Sequence, residues 1–455
     1  MNRFLLLAAF AAFASAARAQ SVEVARAPAS PAAPAEAAVS TSAWYTMHFQ
    51  ATWVDEGDFN FRSPYSGNNS LSGKNQHANS ITSTLFTGVR LLPDTELYYN
   101  PEISGGRGLS SANGLAGFPN GEIYRVGDPE PTLYTARLYL QQRVGFGGGK
   151  EKQEDDDNQI AETLDADRLT IVAGKFSLID FFDNNAYAHD PRSQFLNWVL
   201  MGSAAWDYPA DTRGYTWGAM TEYHEPDWAV RGAFVAEPKQ ANGLQMDERI
   251  GRANGSVAEA EHAISLVAGR KGTARLLAYV NQADMGNYDQ AIAQAQLTGG
   301  APNVVATRAY GRTKYGFSFN ADQELSDTLG VFTRDGWSDG RNESWAFVEV
   351  DASESAGLEW KPAAWGRPDD RFGLAEVANE LNGPHRRYLS DGGYGFMLGD
   401  GGLHYGPELI TEAYYRVPLV AHLWLTPDYQ FFANPAYNRS RGPVQVYSLR
   451  LHAEF

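Results

Sequence analysis

The sequence predicts an all-β fold: a transmembrane antiparallel β-barrel of sixteen strands, with eighteen as the alternative. Three observations carry the prediction. Segments of roughly ten residues alternate apolar and polar side chains with period two, which gives a strand one apolar and one polar face. Short turns and long polar loops separate these segments in alternation, the asymmetry of barrels that cross a membrane. The chain also ends on its most regular segment of this kind, VQVYSLRLHAEF (444–455), whose last residue is an aromatic ring.

Taken in order, residues 1–19 read as a secretory signal peptide. Arg3 precedes an apolar run from Phe4 to about Ala16, and Ala17-Arg18-Ala19 forms a small-residue exit. That run is too short to span a bilayer. Residues 20–42 are rich in Ala and Pro and read as a flexible or extended tether. Residues 43–455 are then the barrel, with the first strand near Trp44–Trp53.

Further strands follow the same alternation. Tyr215, Trp217, Ala219, Thr221 and Tyr223 share one face, and Trp228, Val230, Gly232 and Phe234 share another. Leu276, Ala278 and Val280, and then Phe317, Phe319 and Ala321, repeat the pattern. Leu409, Thr411, Ala413, Tyr415 and Val417 alternate with Glu408, Glu412, Tyr414 and Arg416. A second run, Leu419 to Leu425, follows directly, so a tight hairpin is expected at Pro418. EPD (225–227) and SDT (326–328) read as short turns; EKQEDDDNQIAETLDAD (151–167) and QAIAQAQLTGGAPNVVATRAYG (290–311) read as long loops. PRSQFLNWVLMG (191–202) is a helical candidate with Pro191 at the first helical position behind Asp190.

Composition narrows the class. There are no cysteines, so an exported chain of this kind has no disulfide framework. A mean hydropathy of −0.39 is compatible with a barrel, because only alternate residues meet lipid. The net charge of −17 argues against a nucleic-acid partner, since phosphate binding needs basic patches. The eight acidic residues of 151–167 read as a solvated loop, with a divalent-cation site as the sharper alternative. The 11 Trp and 23 Tyr suit aromatic girdles at both edges of a membrane.

Enzyme classes find little support. No HExxH or P-loop occurs, and the His residues show no ligand spacing. A two-carboxylate glycosidase has acids to spare but no identifiable pair. A soluble sandwich would use shorter strands, and a plugged transporter needs 22 strands and more chain. No catalytic residue and no cofactor are therefore expected.

Seven stretches carry a resemblance: FRSPYSGNNSL (61–71), GFPNGE (117–122), GKFSLIDFFDNNAYAHDPRSQFLNW (174–198), DYPADTRGYTWG (207–218), AAWGRPDD (363–370), DGGLHYGPE (400–408) and DYQFFANPAYNRSRGPV (428–444). Together they resemble the carbohydrate-selective porin (OprB) family, from about Thr46 to Phe455, with the tether outside the match. The resemblance implies a sixteen-stranded barrel in the bacterial outer membrane, with long extracellular loops. It also implies passive diffusion of mono- and small oligosaccharides into the periplasm, often in response to sugar supply. The alternative is a general porin of the same fold without sugar preference. The resemblance leans towards a monomer or weak oligomer, set in outer-membrane lipid and lipopolysaccharide.

A sugar offers hydroxyls and an apolar ring face, so a selective pore needs forked or acceptor groups beside aromatic rings. Binding must favour entry yet allow exit. The stretch 174–198 concentrates such groups, and its turn-formers fit an inward-folded constriction loop. Lys175, Asp183, Asn184, Asn185, Arg192 and Trp198 are candidates from it, either touching sugar or holding the loop in shape. Arg62 and Tyr65 beside a Ser-Pro turn, and Arg137 on a strand, complete the set. Arg137, Arg168, Arg231 and Arg275, facing Glu102, Glu222 and Glu412, either set a field across the lumen or neutralise its wall.

Unpaired backbone in lipid costs several kcal/mol per group, so the last strand must pair with the first. Tyr447, Leu449, Leu451, Ala453 and Phe455 should then face lipid, and Arg450, His452 and Glu454 a water-filled lumen. In proteins this one resembles, a terminal aromatic such as Phe455 is also the address read by the barrel-assembly machinery.

Overall fold

In the computed structural model, residues 43–123 and 129–455 are described. The expected signal peptide and tether lie outside them. The described residues form a closed antiparallel barrel of sixteen strands in sequential order. The first eight are β1 (Tyr45–Asp58), β2 (His77–Leu92), β3 (Thr95–Gly106), β4 (Thr132–Gln153), β5 (Glu162–Phe176), β6 (Thr216–Glu225), β7 (Trp228–Ala236) and β8 (Asn254–Ile264). The second eight are β9 (Gly272–Ala283), β10 (Arg312–Ser326), β11 (Leu329–Ser338), β12 (Ala352–Trp360), β13 (Arg371–Glu380), β14 (Glu408–Val420), β15 (Leu423–Ala433) and β16 (Val444–Glu454).

The closing seam is the expected one. β16 pairs with β1 from Gln50↔Glu454 to Asp58↔Val446, and Phe49 and Phe455 exchange backbone hydrogen bonds of 2.8 and 2.9 Å. Along β16, Tyr447 and Leu449 are exposed on the outer face while Ser448, Arg450 and His452 are buried inside. The same inversion holds around the cylinder: Leu276, Phe317 and Leu409 are exposed outside, and Arg275, Ser318 and Glu408 are buried inside. No helix among the described residues is long and apolar enough to cross a membrane. Lipid contact falls to the strands, and aromatic rings mark both rims. Trp44, Tyr45 and Phe455 stand exposed at the end bearing the terminus, and Phe59, Trp217 and Tyr447 at the other.

Several sequence expectations are corrected. The hairpin near Pro418 turns at Ala421–His422, and Pro418 lies inside β14 beside a register shift. Pro191 begins a turn rather than a helix; the helix covers only Trp198–Met201, capped by the Asn197 side chain, which accepts from the backbone of Val199. The expected loop at 290–311 contains most of a helix, Tyr288–Thr298, whose Asn287 cap and Ala/Gln-rich run were readable signals. Tyr215 does not face outward with Trp217: it precedes β6 and is buried in the lumen. In the acidic segment, 151–153 and 162–167 belong to β4 and β5, so only 154–161 is loop. That loop sits at the short-turn end of the barrel, because β4 runs down towards it.

Candidate functional site

The loop joining β5 to β6, residues 177–215, folds into the lumen as the turn-formers predicted. Its shape follows from polar strand residues that capture its backbone. Arg334 on β11 is buried and reaches the Asp183 carboxylate at 3.2 Å, while donating to the carbonyls of Leu200, Asp183 and Ala188 at 3.0 Å each. Asn320 on β10 donates to Asp183 Oδ1 at 2.8 Å and accepts from Asn185 Nδ2 at 2.7 Å. Asn185 Oδ1 in turn accepts from the Tyr187 and Ala188 backbones, closing a tight turn. Glu412 on β14 accepts from the backbone N–H of Asn197 at 3.1 Å. Phe195 packs edge-on against Tyr414 at 4.9 Å between ring centroids.

The loop leaves an open cavity of about 840 Å³ against the inner faces of β1 to β6. One side is cationic and acidic in close alternation. Arg137 Nε and Nη2 grip both oxygens of Asp180 at 2.7 and 2.5 Å, a bidentate fork. The Asp180 carboxylate also accepts from the Ser177 backbone at 3.1 Å, fixing the entry to the loop. Arg192 Nε reaches Glu122 at 3.0 Å, and its Nη2 reaches Glu102 at 3.2 Å. Glu102 accepts as well from Tyr215 at 3.1 Å and from Thr84 and Tyr134. In the loop, Asp190 is held below the usual carboxylate range: burial pushes it up, but the Ser193 hydroxyl and the neighbouring Arg192 outweigh that.

The other side is aromatic. Trp198 stacks on Phe118 with centroids 5.2 Å apart and planes 20° apart, and lies 4.8 Å from Phe347. Phe347 stacks on Tyr208 at 4.6 Å. All four rings border the cavity. Phe118, Tyr208 and Phe347 are nearly buried in this stack and Trp198 is half-buried. The cavity therefore has an apolar aromatic border opposite the Arg–carboxylate pairs, which suits a solute with hydroxyls at its edge and C–H bonds on its face.

Of the nine sequence candidates, Arg137, Arg192 and Trp198 border the cavity. Lys175 lies behind it, donating to the Thr135 carbonyl at 2.8 Å, with its ammonium 5.6 Å from the Tyr215 ring centre. Asp183 and Asn185 are buried in the loop's fastening, and the Asn184 carbonyl accepts from Asn320. Arg62 stands exposed on the β1–β2 loop, away from the cavity. Tyr65, on the same loop, bonds Asn438 at 3.2 Å and so ties two long loops together. Sequence reasoning did not nominate Glu122, Phe118, Tyr208 or Tyr215, although all four lie in the stretches 117–122 and 207–218 quoted above. Phe347 had no such signal.

The wall arginines divide. Arg231 meets Glu222 at 2.7 Å and Glu261 at 3.2 Å, and Arg275 meets Glu261 and Asp322 at 2.8 Å each. These are wall neutralisation, a ladder of pairs from β6 to β10. Arg168 pairs with Glu151 at 2.8 Å and borders the cavity. Arg450 points inward as expected but not into water: its guanidinium donates to the Pro191 and Gln194 carbonyls of the loop. Among the described residues, no group of three or more His, Cys, Asp or Glu could hold a metal ion.

The family model for the carbohydrate-selective porin, OprB family, matches residues 68–455. No curated protein sequence matches the chain. Among solved structures, the high-pH structure of Pseudomonas putida OprB matches with a TM-score of 0.68 at 17% identity, covering 90% of this chain and 94% of that one. The low-pH structure of the same protein matches at 0.49 with 14% identity over 90% and 93% of the two chains. The outer membrane channel DcaP of Acinetobacter baumannii matches at 0.47 with 9% identity over 90% and 97%. At these identities the first likeness speaks for the fold alone.

Proposed function

The chain belongs to the carbohydrate-selective porin, OprB, family, and from that premise we propose that the cavity beside β1 to β6 is where sugar is recognised in passage. The protein is a carbohydrate-selective channel of the bacterial outer membrane, with its long loops extracellular and its short turns periplasmic. In the proposed path, neutral mono- and small oligosaccharides slide with one ring face on Trp198, Phe118, Phe347 and Tyr208. Their hydroxyls exchange hydrogen bonds with Arg137, Arg192, Asp180, Glu102 and Glu122.

The observation that carries this reading is the Trp198 stack sharing one cavity with the Arg192–Glu102–Glu122 cluster. Each charged group there already has a partner, so a sugar trades hydrogen bonds rather than gaining them outright. Net gains of about 1 kcal/mol per bond keep residence short enough for flow. Asp183, Asn184, Asn185 and Lys175 act as scaffold, while Arg62 and Tyr65 stay with the extracellular loops. We assign the protein no catalytic step or cofactor. The same proposal has residues 1–19 direct export, 20–42 act as a tether, Phe455 engage the assembly machinery, and the barrel work as a monomer or weak oligomer among lipopolysaccharide.

Single-channel recording in planar bilayers tests the reading. Addition of glucose or a maltose-type sugar should reduce the ion current in a saturable way, and the effect should weaken in Arg192→Ala and Trp198→Ala. An ion current indifferent to sugar would remove these residues from recognition and favour a general pore.

A further inference from the structure

The β4–β5 hairpin behaves unlike the other turns at its end of the barrel. The turns after β2, β6, β10 and β14 have two residues each, and those after β8 and β12, of seven and ten residues, are mostly exposed and border no part of the cavity. By contrast β4 is 22 residues long, and its register with β5 slips twice, between Gly145 and Gly147 and between Gly147 and Lys150. Gly147, Gly148 and Gly149 have φ of 95°, 73° and 110°. Only glycine adopts three such values in succession without strain, and a bulge of this kind bends a strand.

Beyond the bend, the tip at 154–161 crosses to distant strands. Gln50 on β1 donates to Asp157 at 3.0 Å, and His48 on β1 faces Asp155 at 3.3 Å. Asn100 on β3 donates to Asn158 at 2.8 Å, and Ile160 is fully buried. β1 is three strands from β4, roughly 14 Å of wall at ~4.8 Å per strand. A hairpin continuing straight along the wall could not touch its inner face. Asp156, Asp157, Asn158 and Gln159 border the same cavity as the sugar-facing residues, together with His452 and Glu454 of β16.

We propose that this tip is a second constriction, at the periplasmic exit, and that it sets the upper size of sugar the channel passes. The inference rests on the channel reading above. The extracellular loop grips a sugar by chemistry, whereas the tip limits it by width: it is fastened at both chain ends and to β1 and β3, so it lies across the opening as a fixed bar. Breaking the bar widens the exit without touching Arg137, Arg192 or Trp198.

Two experiments test this on the full-length protein. In the first, residues 154–161 are replaced by Asn-Gly, a two-residue hairpin turn. Single-channel conductance should rise by about half or more, and liposomes should swell in oligosaccharides too large for the parent. Unchanged conductance and an unchanged size limit would overturn the proposal. In the second, Asp156→Cys supplies the sole thiol of a cysteine-free chain, and a bulky methanethiosulfonate reagent is added after insertion. Because the channel is already folded and conducting, a fall in current on modification supports the exit position, and an unchanged current after complete labelling overturns it. A parent protein that conducts nothing would sink the channel reading itself, an outcome distinct from either of these.

Discussion

On β1 to β6 inward side chains border open space, whereas on β10 to β14 they are covered by inward-folded loops, chiefly the one from β5 to β6, with Glu408 holding the β3–β4 loop and Lys314 the β11–β12 loop. Both halves read as alternating polar and apolar residues, and both put their polar side inside. The polar groups nevertheless have different work. Glu102 and Arg137 meet the cavity, with loop residues Arg192 and Asp180 as partners. Arg334, Asn320 and Glu412 instead replace water as the partners of loop backbone that would otherwise be buried unbonded. The pore is therefore eccentric. One wall serves passage and the other holds the plug that narrows it.

The sharpest way to break this division is Arg334→Ala. It should leave the Asp183 carboxylate buried without its cation, a loss of about 3–5 kcal/mol for breaking a buried pair. The loop should come loose, seen as a lower thermal transition by circular dichroism and as noisy, enlarged single-channel currents. Arg137→Ala, on the open wall, should shift the transition much less. Equal destabilisation by the two would erase the distinction between the walls.

The division also explains what the sequence could reveal. Period two identifies inward residues reliably, because the lipid outside tolerates only the apolar phase; hence the β16–β1 seam and the fate of Tyr447 and Leu449 were readable. Period two is silent about what an inward residue meets. Arg450 and Arg137 both stand at the polar phase of a strand, yet the first is roofed by the carbonyls of Pro191 and Gln194 and the second borders the cavity. Likewise Asp183 and Asn185 were recognisable as turn-formers, but their burial depends on Arg334 and Asn320, some 140 residues away. Phe347 joins the aromatic stack only through folding of the β11–β12 loop, which no local pattern signals.

On the closed side a pH effect follows. His385, in the extracellular helix Gly383–Ser390, is fully buried, with Nδ1 3.1 Å from Asp351 and its ring 4.3 Å above Tyr288. Burial lowers its pKa, but Asp351 and Glu349 outweigh it and raise it to about 9. The folded value exceeds the unfolded one, near 6.5. The charged histidine's contribution is therefore complete below about pH 6.5 and is lost as pH rises through about 9, on the order of 3 kcal/mol at most. Amide protection factors in 383–390, taken relative to the base-catalysed intrinsic rate at each pH, should fall between pH 7 and 10 in the parent and change far less in His385→Gln. A flat parent profile would contradict the charged state.

On the open side the effects fall on sugar rather than stability. Arg192→Ala removes a charged donor from two carboxylates, so binding should weaken by about 1.5–3 kcal/mol, roughly tenfold or more in the sugar concentration that half-blocks the current. The same variant should make the current more cation-preferring, because Glu102 and Glu122 lose their counter-charge. Trp198→Ala should weaken block by about 1 kcal/mol, near fivefold, with ion preference unchanged. If both variants shifted ion preference and sugar block together, the aromatic and ionic sides would not be separable parts of the site.

The smallest expected effect sharpens the comparison from outside it. Arg62 has the residue type and the neighbours that a lumen contact would need. It instead stands exposed on the β1–β2 loop, where only its carbonyl is engaged, accepting from Gly442 at 2.9 Å. An exposed charge this far from partners contributes within about 0.5 kcal/mol. Arg62→Ala should therefore leave thermal stability, conductance and sugar block at parental values, each measured beside Arg192→Ala. A loss of block in Arg62→Ala would mean that recognition begins at the extracellular loops, before a sugar reaches the cavity at all.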